Sequence, residues 1–317
     1  MRILFVTATR IGDCILSTGL LGALLDRHHG AAVTIACGAP ARSLFADVPG
    51  LERLIVMRKQ RWLGHWIALW RDVAGTRWDI AVDLRGSLTT SLIRRGAALV
   101  DRGRLPGLHR VEELGRLAGI DPPPAPRLWL SAQRRARAAA LIPGDVPVLA
   151  LGPVSNWPPK SWPAERFLAL VRHLTGPGGR LAGGRVLIAA APGERDQLAP
   201  LLDGLPRAQW IDLAGGDDLL DVAACIARAR LYVGNDSGLM HLAAAMGVPT
   251  LGLFGPTDER RYGPWGPHAL ALRGADAARD LLARAPAVGL RPGALMEGLG
   301  LDQVAAAAES LFDRTRI

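Results

Sequence analysis

The sequence predicts an α/β protein built from two doubly wound parallel-sheet domains. Three observations carry this prediction. Short apolar runs alternate with helix-like stretches along most of the chain, joined by glycine-bearing turns. The alternation breaks in a proline-rich segment between residues 121 and 147 and then starts again. With 317 residues, 49% of them hydrophobic, there is material for two domains with a core each.

In the first half, residues 2–8 form a buried strand, which is not a signal peptide. Residues 9–13 form a turn with Arg10 and Asp13, and a helix follows over 14–25. A strand, glycine turn and helix in succession open an α/β sheet, whose ligands bind beyond the carboxyl ends of the strands. The dinucleotide fingerprint G-x-G-x-x-G is absent. Asp13, at the helix start, suits an N-cap. Further strands are expected at 33–37, 54–56 and 79–83. Between the last two, Trp62, Trp66 and Trp70 recur every four residues, so on a helix they share one face. Arg58, Lys59, Arg61 and Arg71 flank them. Two readings stay open: a core-facing helix with a solvated basic end, or a helix that dips Trp into a membrane surface while the basic side chains meet lipid phosphates. From Arg85 to Arg110 six arginines accompany a single acid, Asp101. That stretch suits a phosphorylated acceptor or a solvated face.

Residues 121–127 are stiff and extended. A helix over 133–141 leads to the linker, placed at 142–147. The second half then offers strands at 148–152, 185–191 and 210–213, and helices over 163–174 and 219–229, with another opened by Pro192-Gly193-Glu194. The last helix is expected over 302–312.

The most informative stretch is 231–257, L-Y-V-G-N-D-S-G-L-M-H-L-A-A-A-M-G-V-P-T-L-G-L-F-G-P-T. It predicts a strand, a turn of small polar residues, a helix from about 239 to 246, a second buried strand and a final turn. The first N–H groups of such a helix lack internal partners and sit at the positive end of its dipole, so Asp236, Ser237 and Gly238 border an anion site. His241, one turn in, points toward the same end. The plain alternatives are an N-cap at Asp236 or Ser237 and a hydrogen-bonded core histidine.

This block, D-S-G-L-M-H-L-A-A with a later Pro and F-G-P-T, resembles the signature of glycosyltransferase family 9, the bacterial heptosyltransferases of lipopolysaccharide core synthesis. The segments R-I-G-D-C-I-L-S-T and K-S-W-P-A-E-R-F resemble two further family motifs, and A-P-G-E-R-D resembles a third. The resemblance implies a GT-B fold, two Rossmann-like domains facing across a cleft. Residues 1–142 would bind the acceptor, 147–300 the nucleotide sugar, and 301–317 would lie near the hinge. It implies Asp13 as catalytic base, Lys160 on a donor phosphate, Glu194 on donor hydroxyls, and Asp236, Ser237, Gly238, His241 and Thr257 around the donor. Arg10, Arg58, Lys59, Arg61 and Arg85 are acceptor-binding candidates. Glu259 stands where the family usually has Pro.

Charge agrees with such substrates. Thirty-eight Lys and Arg against 29 Asp and Glu give +9, a balance that favours acidic partners. Cys14, Cys37 and Cys225 offer neither a disulfide framework nor a zinc motif and suit a reducing cytosol. No D-x-D accompanies a strand, so neither a metal nor a cofactor is expected. The expected activity is inverting transfer of a heptose or related sugar from a nucleotide diphosphate, ADP-heptose by resemblance, to a phosphorylated lipid-linked saccharide. The expected location is cytoplasmic, peripheral on an anionic membrane surface. Two alternatives remain: a non-transferring GT-B relative such as a nucleotide-sugar epimerase, and a basic nucleic-acid binder. The second lacks an RNP-type aromatic pattern or a helix-turn-helix.

Overall fold

The computed structural model describes residues 1–144, 146–191, 193–216 and 218–315. Asp145 of the expected linker, Pro192 of the expected helix start and residues 316–317 of the last segment lie outside the described residues. The chain divides into two compact units, Met1–Ser131 and Ala132–Ile317.

In the first unit, strands β1 (Arg2–Val6), β2 (Ala32–Gly38), β3 (Leu51–Met57), β4 (Trp78–Asp83) and β5 (Arg95–Val100) form one sheet in the order β3-β2-β1-β4-β5. All its pairs are parallel. Apolar runs such as Ile3–Val6 are buried on both faces, as parallel strands under helical cover require. The helices are α1 (Ile11–Arg27), α2 (Gly64–Val73) and α3 (Arg110–Ala118). The stiff 121–127 segment runs over α1. There Gly19 leaves no room for a side chain beneath the Pro124 and Ala125 backbone, and the Arg127 N–H donates to Thr18 Oγ1 at 3.0 Å.

The second unit carries α4 (Ala132–Leu141), β6 (Val148–Gly152), α5 (Ala164–Thr175), β7 (Arg185–Ile188), α6 (Ala199–Leu202), β8 (Trp210–Asp212), α7 (Leu219–Ile226), β9 (Leu231–Asn235), α8 (Gly238–Ala245), β10 (Thr250–Phe254), α9 (Glu259–Tyr262), β11 (Ala269–Arg273), α10 (Ala278–Val288) and α11 (Leu301–Arg314). Its sheet has the order β11-β10-β9-β6-β7-β8, again with parallel pairs. A core of Leu149, Leu151, Val186, Val233, Leu251 and their neighbours is closed by α5 and by α11, whose Val304, Ala308 and Leu311 are buried in it.

The structure moves several expected boundaries. The division between units falls before α4, not at 142–147. α4 packs on α7, where Arg134 meets Asp218 at 2.9 Å and Asp221 at 2.7 Å, and Arg137 meets Asp221 at 2.6 Å. α11 belongs to the second unit's core and is not a separate segment. Strands β5 and β11 and helices α3 and α10 were not expected. β5 is an exposed edge strand, R-G-A-A-L-V, with little hydrophobic signal.

The three tryptophans do not share one helix face. Trp62 lies in a short 3₁₀ turn, Arg61–Leu63, ahead of α2. Trp62 and Leu63 both take left-handed backbone, φ 53° and 57°. Bulky residues rarely adopt that region, and it costs about 1–3 kcal/mol each. Trp66, Leu69 and Val73 form the stripe of α2 that meets the core. Trp70 is turned outward.

Candidate active site

In a doubly wound sheet the ligand crevice opens where two neighbouring strands send their chains to opposite sides. In the second unit that place is between β6 and β9, and the residues bearing the chemistry come from the loops that follow them. The β6 loop carries Lys160. The β9 turn carries Asp236, Ser237 and, at the start of α8, Gly238.

Asn235 positions both loops. It is fully buried at the end of β9; its Oδ1 accepts from the Trp162 N–H at 2.8 Å and its Nδ2 donates to the Pro153 carbonyl at 2.8 Å. One amide side chain thus clamps both ends of the loop that presents Lys160. Trp162 anchors the far end: its indole N–H donates to the Leu299 carbonyl at 2.8 Å, and its ring meets Phe167 edge-on at 4.9 Å. Ser155 and Ser161 hydroxyls pair at 2.9 Å inside the loop.

Lys160 Nζ donates to the Asp236 carbonyl at 2.8 Å and to Asp236 Oδ2 at 3.0 Å. An ammonium has three N–H donors, so one is left for a ligand. Ser237 is the N-cap of α8, yet its hydroxyl makes no cap bond, and its buried Oγ lies beside the Tyr232 hydroxyl. The first amides of α8 therefore have neither an internal nor a capping partner, which is the arrangement that binds phosphate. Tyr232 fills space over Gly152 and Gly234, which oppose each other in the sheet and have no room for a Cβ. Burial pushes its phenol up, so it stays neutral.

His241 is on α8, one turn in, and buried. Thr257 follows β10, and its carbonyl accepts from Arg273, which also holds the Gly255 carbonyl and the Glu259 carboxylate. Burial opposes the Glu259 charge, but the Arg273 hydrogen bonds prevail and hold its carboxyl below the usual range. Glu194 follows β7, and its carboxylate accepts from the Ala191 N–H at 3.0 Å within its own turn. Lys160, Asp236, Ser237 and Gly238 are brought together directly; Glu194 and Thr257 stand on the flanking loops of the same sheet edge.

In the first unit the corresponding place is between β1 and β4. Asp13 is the third residue of α1, half-buried in its first turn, and the cap position belongs to Arg10, which makes no side-chain cap bond. A carboxylate there is stabilised by the helix dipole. Arg85, after β4, is exposed and lies over the Trp66 ring at 5.3 Å. Asp83 is buried at the end of β4 and shapes that loop: it accepts from the Arg85 and Ser87 N–H groups at 2.9 Å each and from the Ser87 hydroxyl at 2.6 Å. Arg58, Lys59 and Arg61 are exposed after β3.

Sequence reasoning missed Asn235, Tyr232, Asp83 and Arg273. An Asn ending an apolar strand just before a glycine turn is a visible signal for the first. The Gly152–Tyr232–Gly234 fit depends on strand pairing that the sequence does not display.

A model of glycosyltransferase family 9 (heptosyltransferase) matches residues 114–283, more than half of the chain. Lipopolysaccharide heptosyltransferase 2 of Salmonella typhimurium is 25% identical, over 86% of this chain and 88% of its own length. A family 9 glycosyltransferase of Veillonella parvula superposes with a TM-score of 0.79 at 22% identity, covering 99% of this chain and 98% of that one. The ADP-heptose lipopolysaccharide heptosyltransferase II of Escherichia coli gives 0.76 at 21%, covering 99% of each chain. These likenesses place the two parallel sheets in the GT-B fold, and with the matched stretch containing Lys160, Asn235 and the amides of α8, the chain belongs to glycosyltransferase family 9.

Proposed function

We propose that this glycosyltransferase moves a heptose from ADP-heptose to the inner core of a lipopolysaccharide, with inversion at the anomeric carbon and Asp13 as general base. The observation that carries the donor reading is the Lys160–Asp236 contact beside the uncapped start of α8. The sugar and its carrier are those in the names of the similar proteins.

In the proposed reaction the acceptor hydroxyl gives its proton to the Asp13 carboxylate as its oxygen forms a bond to the anomeric carbon. The bond from that carbon to the phosphate oxygen breaks, and its electron pair leaves with ADP. The leaving diphosphate gains negative charge, which Lys160, the amides at Ser237 and Gly238 and the α8 dipole stabilise; a donor of this kind is worth about 10²–10³-fold in rate. Base assistance contributes about 10²–10⁴-fold. Glu194 holds donor hydroxyls once its turn releases it, and Arg10, Arg58, Lys59, Arg61 and Arg85 serve the phosphorylated acceptor. The acceptor is lipid-linked, so the enzyme works at a membrane surface; no described helix is long and apolar enough to cross a membrane.

The test is transfer from ADP-heptose to heptose-free inner-core acceptor, with the anomeric configuration of the product read by NMR. Inverted product from the wild type and none from Asp13→Ala, at unchanged donor affinity, supports the reading. Retained configuration, or an Asp13→Ala enzyme that keeps its rate, refutes it.

A further inference from the structure

We infer that the exposed face of α2, together with the turn before it and the turn after β4, is a docking surface for an anionic lipid bilayer. The inference deepens the reading above and rests on it only in taking the acceptor to be lipid-linked.

Ile67 and Trp70 are exposed on α2 beside the Trp66–Leu69–Val73 stripe that enters the core, and Leu63 ends the left-handed turn just ahead of the helix. Leu63 is 66% exposed and Ile67 51%. Trp62, in the turn ahead of them, is 91% exposed. The Trp70 indole N–H donates to the Leu92 carbonyl at 3.1 Å, which joins α2 to the Thr89–Ser91 turn, where Leu88 and Leu92 are also exposed. Single exposed apolar residues are ordinary, but a cluster of this size on joined segments marks an interaction site.

Two features select a bilayer as the partner. The left-handed backbone at Trp62 and Leu63 sets two bulky side chains outward at the tip of the cluster, where a flat apolar medium can receive them. The rim is basic: Arg58, Lys59, Arg61 and Arg71 are exposed, and none forms an ion pair among the described residues. Nearby acids are engaged elsewhere. Asp72 pairs with Arg53 at 2.9 Å, Asp83 turns inward to its own loop, and Asp101 pairs with Arg110 at 2.6 Å. Trp at the headgroup level with Lys and Arg on lipid phosphates is the composition of an interfacial anchor.

Sedimentation with vesicles tests this. Vesicles of phosphatidylglycerol and phosphatidylcholine in equal parts should carry the full-length protein down, and pure phosphatidylcholine vesicles should not. Trp62→Ser with Ile67→Ser should weaken binding at least about tenfold, as should Arg58→Gln with Lys59→Gln. The Trp62→Ser, Ile67→Ser protein should transfer sugar to a delipidated acceptor at the wild-type rate and lose rate only on acceptor embedded in vesicles. Equal sedimentation of the variants and wild type, or equal binding to both kinds of vesicle, overturns the inference. So does a wild-type dimer that the Trp62 variant dissolves without any vesicle binding, which would make the patch a contact between copies. If vesicle binding follows the expected pattern but no sugar reaches any lipid acceptor, the substrate reading fails and the docking surface stands.

Discussion

The Lys160 loop of the second unit and the segment after β3 of the first are built in opposite ways. In the second unit, Asn235 clamps the Lys160 loop from both ends, Trp162 locks it to Leu299, and Lys160 is bonded to Asp236. In the first unit, the segment after β3 is basic, apolar and exposed, and fewer bonds tie it down. A nucleoside diphosphate is small and always the same shape, so rigid donors placed in advance serve it best. A large phosphorylated glycolipid needs charge and reach more than a fixed mould. Under the proposed function, the contrast is that between a pre-organised donor side and an open acceptor side.

The largest expected effect lies where chemistry and scaffold meet. Asp13→Asn keeps the shape of the first turn of α1 and removes the proposed base, so kcat should fall about 10²–10⁴-fold. Titration of ADP by calorimetry should give the wild-type affinity; a matching loss of ADP affinity would assign Asp13 a structural role instead.

Trp162→Ala should cost about 3–5 kcal/mol of stability, because a fully buried side chain is replaced by a cavity. Truncating Trp62, which is almost fully exposed, should leave Tm nearly unchanged. Equal losses in the two variants would erase the contrast between the regions. Asn235→Ala comes next: it orphans the Trp162 N–H and the Pro153 carbonyl, each worth about 1–3 kcal/mol when buried unpaired. Its KM for donor should rise while its apparent affinity for acceptor holds.

How much of this was legible beforehand follows from where the signal resides. The β9–α8 stretch announced itself because strand, glycine turn and helix start are local features, and the structure puts Ser237 at the cap and Gly238 at the helix start. Asp13 was placed at the helix edge, yet α1 begins three residues earlier than expected, which makes Asp13 a first-turn residue and Arg10 the cap. The four-residue spacing of the tryptophans misled for a physical reason: a left-handed turn at Trp62 and Leu63 breaks the helix that would have aligned them. β5 was hidden because an exposed edge strand needs no apolar alternation. Long-range clamps such as Asn235 to Pro153 and Trp162 depend on pairing between β6 and β9, which no local pattern encodes.

A smaller effect concerns the turn that carries Thr257. Glu259 has its carboxyl held below the usual range in the fold, so the Glu259–Arg273 tie adds stability that is present above the unfolded-state value and is lost as pH falls through the folded one. Glu259→Gln should flatten the acid limb of a stability–pH curve relative to wild type. An unchanged limb would remove that tie from the account. Smaller still, the buried thiols of Cys37, pushed up to about 12, and Cys225, pushed up to about 11, both chiefly by burial, should react with Ellman's reagent at pH 8 only after unfolding. Fast reaction of the native protein would contradict their burial.

The central claim is that Lys160 and the start of α8 hold the diphosphate. Calorimetric titration of Lys160→Ala with ADP and, in parallel, with adenosine tests it most directly. The account predicts an ADP Kd raised about 10–100-fold, the worth of a charged hydrogen bond, with adenosine affinity unchanged. An ADP Kd equal to that of the wild type, or an equal loss for adenosine, would contradict it.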